Sequence, residues 1–253
     1  MVGIITVALP VYASPIAWLA MEGLCRQKTT CQWELIIYED SECSNGEPIG
    51  REFFHEYDHR IKQAGCTKIM YKYSKDRISL SRKWCEISHM ADANSVGIIL
   101  QATDCYSEPN RVQSSFDKMN EGYDWLHSAK GIFYYIQKKQ TMLFDMGVVP
   151  TGLNMCMSTK LVRQLHPEDY WSSVDHWLIT SLTKLKPNLK QFVFENDDYM
   201  KGIDTDGHNR ISIKRRQNYI LPTAPFYKTD VKIEDCLPED VVKQIKHFGI
   251  WSR

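Results

Sequence analysis

The chain has 253 residues with 31 basic and 31 acidic side chains, so its formal net charge is zero and bulk electrostatics give no support to a general polyanion-binding role. Apolar residues make up 43% of it, which excludes a disordered chain and allows a sizeable core. No stretch approaches the ~18 apolar residues that span a bilayer.

The elements follow in order. Met1–Leu9 is an apolar run with no basic leader that stops at Pro10, so it reads as a first strand (Gly3–Pro10) and not as a signal peptide. A soluble, cytoplasmic protein is expected. Ser14-Pro15 starts a helix with Ile16, Leu19, Gly23 and Leu24 inward, Gly23 allowing close packing. Trp33–Tyr38 is strand two and runs into an acidic turn, Glu39-Asp40. Phe53, Phe54, Tyr57, Ile61 and Ala64 recur at helical spacing, and Gly65 ends that helix. Thr67–Tyr73 is strand three. Ser79 caps a helix carrying Leu80, Trp84, Ile87 and Met90, and Val96–Gln101 follows as a strand buried on both faces. Asp104 lies just past it, before a Ser107-Glu108-Pro109 helix start.

The second half is mixed. After a helix with Val112, Phe116 and Met119 come short strands at Trp125–His127, Ile132–Gln137 and Thr141–Phe144, then a strand at Gly152–Met157. Ser158 caps a short helix. Asp175–Leu185 is helical with Trp177, Leu178, Leu182 and Leu185 inward, and Gln191–Glu195 is a last strand. Asn196–Arg210 reads as a loop, and Pro238–His247 as a small helix. Eight cysteines (Cys25, Cys31, Cys43, Cys66, Cys85, Cys105, Cys156, Cys236) form no C-x-x-C pair, which argues against a structural zinc module. They are expected to be free thiols in a reducing compartment.

The order βαβαβαβ with short connections implies a mostly parallel α/β sheet with right-handed crossovers and helices on both faces. In such a sheet ligands bind beyond the carboxyl ends of the strands, which is where Glu39, Asp40 and Asp104 are expected.

These residues resemble the family 2 glycosyltransferases of the GT-A fold. Val7-Ala8-Leu9-Pro10-Val11-Tyr12 is similar to that family's opening strand, and Trp33-Glu34-Leu35-Ile36-Ile37-Tyr38-Glu39-Asp40-Ser41 to its second strand and acidic turn. Ser81-Arg82-Lys83-Trp84 lies where the family often has Ala-Arg-Asn. Leu100-Gln101-Ala102-Thr103-Asp104 falls at its Asp-x-Asp signature, and Asp175-His176-Trp177-Leu178 at its Glu-Asp pair before a helix. The pattern covers roughly residues 3–185.

The resemblance implies a Rossmann-like GT-A domain over 1–253, with a nucleotide-sugar-binding half (1–104), an acceptor half (105–219) and a carboxyl-terminal extension (220–253). It implies an inverting glycosyltransferase, with a UDP-sugar the favoured donor. Pro10, Tyr12, Glu39, Asp40, Arg82, Thr103 and Asp104 would contact the nucleotide-sugar. Asp175 would be the general base, kept ionised at a helix start, with His176 as an alternative. Asp104, with His208 from a carboxyl-terminal loop, would hold manganese or magnesium at the diphosphate; Asp204 and Asp206 are alternative ligands. The chain departs from the pattern at Gln101 and Thr103, where acids are usual, so the metal site is expected to be weak or completed by the nucleotide. Trp171 and Trp177 could stack on a sugar, or belong to the core.

Two other classes compete. A nucleotidyltransferase would carry a glycine-rich, basic loop after strand one; Val11-Tyr12-Ala13-Ser14-Pro15 has neither glycine nor a basic residue. A catalytically degenerate binding module would explain the missing acids. The acceptor is left open, with a glycan favoured. Lys138-Lys139 and Lys214-Arg215-Arg216 could contact DNA phosphates, and so admit hydroxylated bases of DNA as acceptors, although solvated surface charge is the commoner meaning.

Overall fold

A computed structural model describes residues 3–11, 16–41, 48–128, 130–135, 140–145, 155–167, 174–194, 200–204, 226–228 and 232–251. Its centre is a seven-stranded, mostly parallel sheet. In chain order this sheet takes β1 (Ile4–Pro10), β2 (Gln32–Asp40), β3 (Cys66–Ser74), β4 (Ser95–Leu100), β6 (Trp125–Ser128), β9 (Cys156–Ser158) and β10 (Gln191–Phe194). Across the sheet the order is β10-β6-β9-β4-β1-β2-β3. Every pairing is parallel except those of β9, which runs against both β4 and β6. A second, five-stranded sheet has the order β12-β8-β7-β11-β5, from β5 (Cys105–Ser107), β7 (Lys130–Tyr135), β8 (Gln140–Asp145), β11 (Met200–Asp204) and β12 (Phe226–Lys228).

Strands β1 and β4 are apolar on both faces because helices cover both sides, as parallel sheets require. One face packs on α1 (Trp18–Cys25), α2 (Arg51–His55), α3 (Asp58–Gln63) and α5 (Arg111–Asn120), through residues such as Met21, Phe54, Ile61 and Val112. The other packs on α4 (Leu80–Met90), α6 (Thr159–Val162) and α7 (Val174–Leu185), through Trp84, Val162, Trp177 and Leu178. A third cluster joins α8 (Ile233–Cys236) and α9 (Glu239–Trp251) to Leu19, Tyr106 and Ile132. Two glycines are required where they stand. Gly65 holds φ +93° after α3, and a Cβ on Gly23 would lie 2.5 Å from the Ser107 nitrogen, where α1 crosses β5.

The expected βαβαβαβ core is present, and the structure corrects several details. The acidic turn does not exist as a turn: Glu39 and Asp40 are the last two residues of β2, held there by pairing with Tyr73 and Ser74. The helix expected over 53–64 is two short ones. Ser107 belongs to a strand, and α5 begins at Arg111. The polar 196–210 stretch contains β11, which pairs with β5 and β7, so β10 is not the last strand. Leu185, expected inward, is 44% exposed at the end of α7. Ser79 caps α4 as expected, accepting from the Arg82 backbone N–H at 3.3 Å. The seven described cysteines are free thiols. No helix among the described residues is long and apolar enough to cross a membrane.

Candidate functional site

From β1 the chain steps outward to β2 and β3, then returns over the opposite face to place β4 on β1's other side. The connections therefore diverge above the carboxyl ends of β1 and β4, where an open α/β sheet leaves a crevice. A cavity of about 270 Å³ lies there. Its base is Pro10, ending β1, and Leu100, ending β4. One wall is Leu80 and Trp84 from the first turns of α4, and Met155 leads into β9 on another side. The loop Gln101–Asp104 overhangs it, and Asp175 enters from the first turn of α7.

Among the expected residues, Pro10, Thr103, Asp104 and Asp175 line this one cavity. Thr103 is buried, while Asp104 and Asp175 are half-buried and keep contact with water. On α7 the neighbouring His176 is exposed, as the ~100° step between adjacent helical residues requires, so of the two candidate bases it is Asp175 that faces the cavity. Trp177 is buried among core residues.

Glu39, Asp40 and Arg82 do not line it. The Glu39 carboxylate accepts from the backbone N–H groups of Ile49 (2.5 Å) and Gly50 (3.1 Å) and from the Tyr71 hydroxyl (2.5 Å), which pins the chain entering α2. Asp40 is 2% exposed, lies 3.0 Å from Lys83 Nζ and accepts from the Ile78 N–H at 2.8 Å. Lys83 also donates to the Val11 carbonyl at 3.0 Å, so the pair ties the end of β2 to α4 and to the chain leaving β1. Arg82 is half exposed and pairs with Glu86 at 3.1 Å. Tyr12, Trp171, Asp206, His208 and both basic runs lie outside the described residues, as does the Asp204 side chain.

Gln101, at the position of the missing acid, is turned into the protein. Its Nε2 donates to the carbonyls of Ala102 (2.8 Å) and Cys105 (2.7 Å), and its Oε1 accepts from Ser107 Oγ and from Arg111 Nη1 (2.6 Å). This network shapes the loop that presents Asp104, and it engages the Gln101 side-chain oxygen on the side of Ser107 and Arg111. Among the described residues no three His, Cys, Asp or Glu side chains gather as a metal cage. Magnesium and manganese are nevertheless bound by one or two carboxylates completed by substrate phosphates. The Asp104 carboxylate fits that kind of site. Cys105 lies behind it with Sγ 3.5 Å from Asp104 Oδ1; complete burial pushes its thiol well above 9.0, so it stays protonated.

Sequence reasoning missed Leu80, Trp84 and Met155 as cavity walls, because their apolar spacing signals only a core. It also missed Arg111, which had no motif to announce it, and His127. The His127 ring is fully buried, and burial lowers its pKa, which favours the neutral form.

No family model and no curated protein matches the chain. Among solved structures, HddC from Yersinia pseudotuberculosis is similar at 12% identity and TM-score 0.44, over 78% of this chain and 93% of its own. A Bacillus anthracis protein described as a glucose-1-phosphate thymidylyltransferase, in complex with a sucrose, is similar at 10% identity and TM-score 0.47, over 84% of this chain and 93% of its own. These likenesses concern the course of the backbone and assign no activity.

Proposed function

We propose that the chain is an inverting, family 2-like glycosyltransferase of the GT-A kind, forming one domain over 1–253. In this reading it moves a sugar from a nucleotide-diphospho-sugar, a UDP-sugar first, to a hydroxyl acceptor such as a glycan. The single observation that carries the reading is that Asp104 and Asp175, from opposite halves of the chain, enter one cavity at the point where the strand order reverses. Two carboxylates lining one crevice suit a displacement in which one takes a proton and the other manages the leaving group.

In that displacement the acceptor hydroxyl attacks the anomeric carbon. Its proton passes to the Asp175 carboxylate as the new C–O bond forms, and the bond to the diphosphate breaks with its electron pair on the diphosphate oxygen. Attack from the face opposite the leaving group inverts the anomeric configuration. The start of α7 favours the ionised Asp175 that a base requires. A divalent cation, when bound, would neutralise charge on the leaving diphosphate, and Asp104 is the described residue that would hold it. Pro10 and Thr103 bound the donor. Asp40 acts from behind by fixing α4 and the end of β1.

The test is turnover of UDP-, GDP-, CDP- and dTDP-sugars, with and without manganese, with the anomeric configuration of the product read by NMR. One nucleotide class turned over to an inverted product, and lost in Asp104→Ala, is the expected result. A retained configuration, or transfer of a nucleotidyl group, would overturn it. A second reading, a binding module without turnover, is favoured by the engagement of Gln101 in the loop network. It predicts carbohydrate binding and no hydrolysis of any donor.

A further inference from the structure

The cavity lining among the described residues holds two carboxylates and no lysine or arginine. An entering diphosphate would meet negative charge with no cation opposing it among the described lining residues. Lys83 is committed to Asp40, and Arg82 to Glu86 outside the cavity. Arg111 is different. It is 4% exposed, in the first turn of α5, on the other side of the Gln101–Asp104 loop from α4 and α7.

Among the described residues its guanidinium has only neutral hydrogen-bond partners. Nη1 donates to Gln101 Oε1 (2.6 Å) and Ser107 Oγ (2.9 Å), Nη2 donates to the Leu100 carbonyl (2.6 Å), and Nε has no acceptor. The buried Cys156 thiol nearby is kept protonated by burial and offers no countercharge. Burial lowers the guanidinium to about 10, which still leaves it charged at neutral pH. Buried charges are ordinarily paired, and an acid at position 101 would have paired this one. Gln101 keeps the hydrogen bond and leaves the charge uncancelled, in a region where low polarisability extends its reach.

We propose that Arg111 is a positioning residue that supplies, through Gln101 and the Leu100 carbonyl, the fixed positive potential by which the cavity binds the diphosphate of its substrate, so that this affinity does not depend on a metal ion alone. The inference rests on the proposed function for the identity of the ligand, but it concerns only the anion. It also accounts for the missing acid: a glutamate or aspartate at position 101 would cancel the cation beneath the loop.

The experiment is calorimetric titration of the full chain with inorganic pyrophosphate and with UDP, in EDTA and then with manganese. Wild type, Arg111→Lys, Arg111→Met and Gln101→Glu are compared, and unfolding is measured in parallel. Binding in EDTA is expected for wild type. It should weaken by at least about tenfold in Arg111→Met and Gln101→Glu and stay within about threefold in Arg111→Lys, although lysine also loses the fork geometry. In turnover, donor KM should rise in Arg111→Met with kcat little changed. Equal loss in Arg111→Lys and Arg111→Met would mark a purely structural arginine and overturn the proposal, as would absence of pyrophosphate binding by wild type in EDTA. Pyrophosphate affinity that follows the charge at 111, without turnover of any nucleotide-sugar, would remove glycosyl transfer and keep the anion site. Turnover with a donor KM indifferent to Arg111→Met would do the reverse.

Discussion

Two pairs of carboxylates stand at the same edge of the central sheet and have opposite fates. Glu39 and Asp40 end β2 and are saturated from within, by two backbone N–H groups and a tyrosine in one case and by a buried lysine in the other. Asp104 and Asp175 come from a loop and a helix start and face a cavity. In sequence, Glu39-Asp40 and Asp104 look alike, as acids at the end of an apolar strand. What separates them is where the carboxylate ends up, inside the packing at the end of β2 or on the lining of the cavity. The 48–50 segment and α4 fold over the end of β2 and bring their own N–H groups and an ammonium. Past the end of β4, Gln101 takes up internal hydrogen bonds of the loop, and Asp104 lies on the lining of the crevice. A place at the ligand edge thus does not by itself make a carboxylate a candidate for chemistry; a place on the cavity lining is needed as well.

Substitutions can break this contrast. The largest effect is expected for Asp175→Asn: loss of a general base should lower kcat about 10²–10⁴-fold while unfolding free energy falls by no more than about 1 kcal/mol, the worth of a carboxylate at a helix start. A thermal shift as large as the kinetic one would move Asp175 into the structural pair. Lys83→Met should do the opposite, since it strips the cation from a carboxylate that is 2% exposed. Breaking a buried pair costs about 3–5 kcal/mol, seen as a drop of roughly 10 °C in melting temperature. Unchanged stability would show that Asp40 does not need its partner. Glu39→Gln, which weakens charge-assisted bonds from Ile49, Gly50 and Tyr71, should lose about 1.5–3 kcal/mol in denaturant titration, with donor KM unmoved. The smallest effect is expected for Ser79→Ala, about 1 kcal/mol from the cap of α4, the helix that carries Lys83 to Asp40.

The parallel core was legible because its strands are continuous apolar runs and its helices have caps and stripes. Those are local signals: β1, β2, β3, β4 and α4 fall within a few residues of expectation. Asp104 and Asp175, singled out by order and spacing, line one cavity. The register of β2 was not: pairing with β3 continues through Asp40, so an acidic pair that reads as a turn is drawn into the sheet. Strand β11 was invisible because its partners lie far away in the chain, and long-range pairing overrides a polar, glycine-containing composition. Arg111 carries no local sequence signal. Only the fold shows that its guanidinium ends beneath the loop bearing Asp104.

The cysteine next to Asp104 has a practical corollary. With Cys105 sealed in and its thiol held in the unreactive form, alkylating reagents and mild oxidants find almost no thiolate at the mouth of the crevice. Cys25, more open to water, is still pushed up to about 11. Among the described thiols, therefore, none beside the crevice offers a handle for covalent probes, and inhibitors aimed there would have to hold on by shape and charge.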